Sequence, residues 1–177
     1  NQNVPAKTLA DLVALDKSAP GKVTFASDGP KGVAGMLGEW LNKVMGTKWL
    51  QVPYNVNSQG IQDTIAGRTS LTIQAPTPLL PFTKRGDLRM IASSGPKRAP
   101  GFENIPAVSE TYPGFAFVGW FALVAPTGTP AEIVQRINSE VDRILKDPEI
   151  IVRLRDFGVY TDGAETPEST GAFIRSE

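Results

Sequence analysis

Apolar positions recur along this chain in two rhythms, one of three to four residues and one of two, and the two alternate through its first half. In "KTLADLVALDKSAPGK" Leu9, Leu12 and Val13 share one helical face, Thr8 is placed to cap the start with Asp11 three residues on, and Pro20-Gly21 stops it. "VTFAS" then predicts a short strand. After the corner "DGPKG", Val33, Met36, Leu37, Trp40, Leu41 and Val44 recur at helical spacing, predicting an inward stripe on a helix that Gly46 closes. "WLQVPY" predicts a second strand, broken by Pro53, and "NSQGIQDTIAG" a short helix with Ile61 and Ile65 inward and Gly67 as its stop. "TSLTIQ" and "LRMIASS" predict two further strands, with a helix ending near Gly86 in the proline-rich stretch between them. Alternation of this kind implies βαβ units and a mostly parallel sheet, an α/β fold.

The second half changes character. After the Pro- and Gly-rich loop "GPKRAPGFENIPAVSETYPGF", the continuous apolar run "AFVGWFALVAP" predicts a buried strand and a crossing between lobes. "TGTPAEIVQRINSEVDRILKDPE" predicts a long helix, with Thr129 as cap, Pro130 in the first turn, Glu132 completing a capping box, and Ile133, Ile137, Val141 and Ile144 inside. "DPEIIVRLRDFG" predicts another, stopped by Gly158, and "TPESTGAFIRSE" a third that starts at Thr166-Pro167, buries Phe173 and Ile174, and reaches Glu177 without a stop signal. That unfinished helix predicts that the chain is a piece of something longer.

Composition removes more chemistry than any motif adds. With 18 basic and 18 acidic residues in 177, 41% hydrophobic content and 20% charged, the chain suits a soluble globular fold without a global field for nucleic acid or an anionic membrane. Histidine and cysteine are both absent, so a zinc site and a Ser-His-Asp or Cys-His relay lack their ligands and their imidazole. No metal or cofactor is expected, and no enzymatic activity. No stretch reaches the roughly eighteen apolar residues of a membrane span.

The corner in "FASDGPKGVAGML" joins a strand to a helix start, where unpaired N–H groups and the helix dipole favour an anion; a plain structural turn is the alternative. A P-loop needs Gly-Lys-Ser/Thr, and here Lys31 precedes Gly32 with no hydroxyl behind it; Gly29, Gly32 and Gly35 do not make the dinucleotide spacing. Asp28 and Glu39 stand too far apart for paired-carboxylate chemistry. Trp40 and Trp49 read as core, and Trp120 as core or cleft lining. What survives is an α/β lobe with an anion-ready corner and a candidate interlobe crossing, the organisation of a ligand-clamping protein.

Five stretches carry a family likeness. "VPAKTLADLVALDKSAPGKVTFASDGPKG", "VPY", "GDLRMIASSGPKRAPGFENIPAVSE", "WFALVAPTGTPAEIVQRINSEV" and "DPEIIVRLRDFG" resemble, in order and spacing, the extracytoplasmic solute receptors of the Bug/TctC family, which serve tripartite tricarboxylate transporters. The resemblance implies a periplasmic, type II periplasmic-binding-protein fold whose two lobes close on a small carboxylate, each offering one strand–turn–helix corner. It implies that residues 3–117 form the second ligand-binding lobe, that residues 118–177 are the returning segment of the first, and that the rest of the first lobe precedes Asn1.

Carried over by position, the ligand-facing residues are Ser27, Asp28, Gly29, Pro30, Lys31, Gly32 and Val33 at the corner, Tyr54 after the second strand, and Gln74 with Ala75 after the third. Relatives run Gly-Ser-Ser where this chain has Lys31, Gly32 and Val33, and many place an acid where it has Gln74. These departures predict a less polar or aromatic carboxylate in place of C4-dicarboxylates or amino acids. The implied partners are a small organic acid and the transporter's membrane subunits, with self-association of the chain through uncovered apolar surface as a further expectation. A phosphate- or nucleotide-binding enzyme domain using the same corner is the alternative.

Overall fold

The computed structural model describes residues 1–176, apart from the side chain of Asp156; Glu177, which the last helix was expected to reach without a stop signal, lies outside the described residues. The chain divides into two compact units, Asn1–Val118 and Gly119–Glu177.

The first unit opens with helix α1 (Leu9–Ser18), whose start is fixed as the sequence predicts. Thr8 Oγ1 accepts the Asp11 N–H while the Asp11 carboxylate accepts the Thr8 N–H, a complete capping box. Strand β1 (Thr24–Ser27) follows, then helix α2 (Val33–Met45), strand β2 (Leu50–Pro53), helix α3 (Asn57–Ile65) and the short strand β3 (Leu71–Thr72). The sheet is parallel in the order β2-β1-β3, with Ser27 beside Pro53 and Ala26 beside Thr72. Pro53 lies on an edge strand, where its missing N–H costs no ladder bond. A 3-10 turn (Thr77–Leu79) leads into helix α4 (Leu80–Arg85), which Gly86 ends in the left-handed conformation near the predicted place.

Successive residues of β1 point to opposite faces, and helices pack on both. Gly38 of α2 lies against the Phe25 ring, while Gly60 of α3 comes so close to β1 that a Cβ there would stand 3.2 Å from the Cβ of Ala26. Around Phe25, which is fully buried, gather Leu12 and Val13 of α1, Leu37, Leu41 and Met45 of α2, and Val23, Trp49, Val108 and Phe115. Asp16 is buried at the end of α1, and its carboxylate accepts the Lys48 N–H at 2.8 Å, joining α1 to the start of β2.

Two expectations for this unit are corrected. The predicted inward stripe of α2 is split: Leu37 and Leu41 are buried, but Val33, Met36, Trp40 and Val44 are exposed, and the face on the sheet is Ala34, Gly35, Leu37, Gly38, Leu41 and Met45. Glycines at 35 and 38 let the helix backbone come so close to β1 that the small face turns inward. The expected strand "LRMIASS" does not form. Among the described residues that stretch makes one bridge, Ser93 with Ala107, through Ser93 N–H to Pro106 O and Val108 N–H to Ser93 O, so it pairs with the loop after it and not with β3.

That loop is clasped by Arg98, whose Nε and Nη2 donate to the two carboxylate oxygens of Glu110 at 2.7 and 2.8 Å while Nη1 donates to Glu103 O. The Ala107 N–H donates to the same carboxylate, and together Arg98 and Ala107 hold Glu110 down from its ordinary 4.5 to about 2. A depressed carboxylate contributes stability above its unfolded value and loses it as pH falls through the folded one. Protection of the Ala107 amide from hydrogen exchange, taken relative to its intrinsic rate at each pH, is therefore expected to hold above about pH 4.5 and to fall between there and about 2, a step that Glu110→Gln abolishes; protection independent of pH in the parent chain would contradict the clasp.

The second unit holds helices α5 (Ala131–Leu145), α6 (Pro148–Asp156) and α7 (Pro167–Ser176). The run "AFVGWFALVAP" is not the buried strand expected: from Gly119 to Val124 it makes no backbone hydrogen bond among the described residues, and Phe121 is 89% and Val124 76% exposed. A strand is buried by its neighbours, and none pairs with this one. Trp120 is exposed and meets Phe173 edge-on at 5.4 Å, within the same unit. The capping box at α5 is also absent, since Thr129 Oγ1 donates to Pro126 O and Pro130 becomes the cap. Ile133, Ile137 and Ile144, together with Phe173 and Ile174, are exposed where burial was expected.

Candidate functional site

The strand order decides where a ligand can sit in the first unit. From β1 the chain passes through α2 to β2 on one flank, then through α3 across to β3 on the other, so the connections diverge at β1. In open α/β sheets the crevice outside the carboxyl ends of the strands, at that reversal, is where ligands bind. The corner Ser27–Val33 leaves β1 there, Tyr54 follows β2, and Gln74 and Ala75 follow β3. The strand register brings them to one end: the Tyr54 N–H donates to Ser27 O at 2.9 Å, and Gln74 lies two residues past Thr72, the partner of Ala26. All ten residues singled out in the sequence thus lie at one end of the sheet.

Their roles differ. Ser27, only 2% exposed, is a strut: its Oγ accepts from Gln51 Nε2 at 2.7 Å and from the Gly29 N–H at 3.2 Å. Gly29 takes a positive φ of 99° and its carbonyl accepts the Gly32 N–H, which turns the chain into α2. Gly32 is the cap residue and brings no side chain; Asp28 does the capping instead, its Oδ1 accepting the Ala34 and Gly35 N–H groups at 3.1 and 3.3 Å. A Cβ at Gly32 would fall on that carboxylate, and one at Gly35 would fall on Gly29 O and the Gln51 amide. The positive end of α2 is therefore already occupied by an anion of the chain itself.

The outward groups are few. Pro30, Lys31 and Val33 are exposed, Lys31 has no ion pair among the described residues, and the Val33 N–H finds no acceptor there. Gln74 is half-buried with no hydrogen bond among the described residues, and Ala75 is exposed beside it. The Tyr54 hydroxyl is spent, donating to Asp63 Oδ2 at 3.0 Å, and Asp63 also takes Arg68 at 2.6 Å. Burial first, then that hydrogen bond, pushes the Tyr54 phenol above its ordinary value, so Tyr54 offers the site its ring and not a proton. Gly60 makes room for the ring, 3.1 Å from a built Cβ.

Sequence reasoning missed Gln51 and Asp63. Gln51 carried a signal, a polar residue between Leu50 and Val52 on the inward beat of a strand; Asp63 carried none, since an acid on a short helix reads as solvated. A surface depression of about 480 Å³ bordered by Glu39, Asn42, Lys43 and Thr47 lies toward the amino end of β2, away from the reversal point. Among the described residues no group of three or more His, Cys, Asp or Glu could hold a metal, and no helix is long and apolar enough to cross a membrane.

Over residues 1–173 the sequence matches the family described as the tripartite tricarboxylate transporter family receptor, TctC. The chain is 31% identical over 171 residues to a UPF0065 protein of Bordetella bronchiseptica, covering 97% of this chain and 50% of that protein. It is 28% identical over 178 residues to BugT of Bordetella pertussis, covering 100% of this chain and 54% of BugT. The chain spans about half the length of the curated relatives it matches. Among solved structures it is similar to Rpa4515 of R. palustris with adipate, with a TM-score of 0.89 at 26% identity over 99% of this chain and 58% of that one. A structure described as a periplasmic transporter gives a TM-score of 0.88 at 29% identity over 99% and 59%. With its α/β fold shared by these structures and its residues matched nearly throughout, the chain belongs to the TctC family of solute-binding receptors.

Proposed function

We propose that this chain is the second lobe, residues 3–117, and part of the first, residues 118–177, of a periplasmic receptor that closes on a small organic carboxylate for a tripartite transporter. The observation that carries the reading is the convergence of the three parallel strand ends at the reversal of strand order, with the corner on one side and Gln74 on the other, in a chain of this family. Rpa4515, a neighbour in fold, is described with adipate, which favours an organic acid as the ligand class. The mechanism is capture: Lys31 and the Val33 N–H donate to an oxygen of the ligand, Gln74 donates from the far side, the Tyr54 ring packs beside it, and lobe closure excludes water. No bond is made or broken.

The reading as a phosphate- or nucleotide-binding enzyme domain loses its anchor at the same corner. Asp28 already fills the α2 start, taking the Ala34 and Gly35 N–H groups that a phosphate would need. A thermal-shift screen of the receptor at the full length of its relatives separates the two. Organic acids are expected to raise the melting temperature and nucleotides or sugar phosphates to leave it unchanged; the reverse pattern would refute the receptor reading.

A further inference from the structure

Asp28 gives the corner a charge that an anion-binding turn does not have. Its carboxylate is held in place by the Ala34 and Gly35 N–H groups through Oδ1, Gly32 leaves the space for it, and Oδ2 keeps no partner among the described residues. Residue 28 is exposed at the mouth of the corner, two residues past Ala26, and Gln74 stands two residues past Thr72, the partner of Ala26. Gln74 brings an uncharged amide with no internal partner, so the one formal negative charge among the ten site residues is that of Asp28. A bare ligand carboxylate brought here by closure meets a fixed like charge in a place from which water is being removed. A hydroxyl meets complementary groups instead, donating to Oδ2 and accepting from Lys31 or the Val33 N–H. Lys31, three residues on and without an ion pair among the described residues, works against an ammonium at the same spot.

We propose that Asp28 is a specificity-determining residue that makes this lobe select a neutral hydroxyl end, so that the receptor takes a hydroxy-carboxylic acid whose single carboxylate is met by the opposite lobe. This rests on the receptor reading above and narrows its ligand class. A hydroxyl oxygen can donate to Oδ2 of Asp28 and accept from the Val33 N–H, whereas a carboxylate oxygen can only accept.

The test uses the receptor at the full length of its relatives, with 6-hydroxyhexanoate, adipate and 6-aminohexanoate as probes that share one chain length and differ at one end. The parent receptor is expected to bind 6-hydroxyhexanoate at least about tenfold more tightly than either of the others by calorimetry. Asp28→Asn keeps the acceptor that caps α2, removes the charge and puts an NH2 donor in place of Oδ2; it is expected to strengthen adipate by about tenfold or more and to weaken 6-hydroxyhexanoate, whose hydroxyl proton loses its acceptor. Asp28→Ser, which substitutes another helix-capping residue, repeats the test with different geometry, and the melting temperature of each variant checks that it is folded. A parent receptor that prefers adipate, or variants that leave the adipate to 6-hydroxyhexanoate ratio unchanged, overturns the role of Asp28 while leaving the receptor reading intact. Failure of all three probes together with every other organic acid in the thermal-shift screen overturns both.

Discussion

Gly38→Ala is expected to destabilise the chain by about 1–3 kcal/mol, although alanine is the better helix former at an ordinary position. The new methyl would be built into the Phe25 ring, 3.1 Å from Cδ2 and closer still to the ring's far edge. Phe25 cannot yield, being fully buried at the centre of the sheet and walled in by α1 and α2. Helix α2 must then lift from β1, and Gly35, pressed on Gly29 O and the Gln51 amide, lifts with it. Phe25→Ala alone is expected to cost about 3–5 kcal/mol through the cavity it leaves. The two substitutions together should cost less than their sum, because the alanine methyl enters the space the ring vacates. Urea denaturation followed by tryptophan fluorescence, to which the buried Trp49 contributes, reads all three variants. Strict additivity would show that the Gly38–Phe25 approach is not what holds helix and sheet together.

The second large effect concerns affinity. The 177-residue chain on its own is expected to bind its ligand with a dissociation constant in the millimolar range or weaker, and the receptor at the length of its relatives at least about a hundredfold more tightly. The chain spans about half of its curated relatives, and the outward donors it brings to the site are Lys31, Val33 and Gln74. Half a clamp pays the full loss of ligand freedom for part of the contacts, and without closure water stays in the crevice. Calorimetry on both chains with the same acid decides it. A micromolar constant for the 177-residue chain would mean that one lobe suffices.

Much of the first unit was legible because its signals are local. Thr8 with Asp11, the corner between "VTFAS" and Val33, and the left-handed ends at Gly46 and Gly86 each depend on a few neighbouring residues, and each stands where the sequence places it. What failed depended on residues far away. The stripe of α2 was read by bulk, whereas the approach of Phe25, contributed by another element, turned Gly35 and Gly38 inward and left Trp40 outside. The stretch "LRMIASS" has strand composition but finds its hydrogen bonds in the loop around Ala107. Thr129 had two acceptable uses for one hydroxyl and took the turn at Pro126. At the site, position was legible and role was not. Ser27 and Tyr54 stand at the strand ends, but whether a hydroxyl faces outward depends on Gln51 and Asp63, which no short motif ties to them.

Extended apolar segments are what chaperones and proteases grip, by adding their own backbone to the free edge and seating alternate side chains in pockets. The run from Gly119 to Val124, unpaired among the described residues and with Phe121 and Val124 largely bare, offers both a free backbone and apolar side chains to such a grip. A strand laid against that backbone would pair its free groups and cover its side chains in a single step.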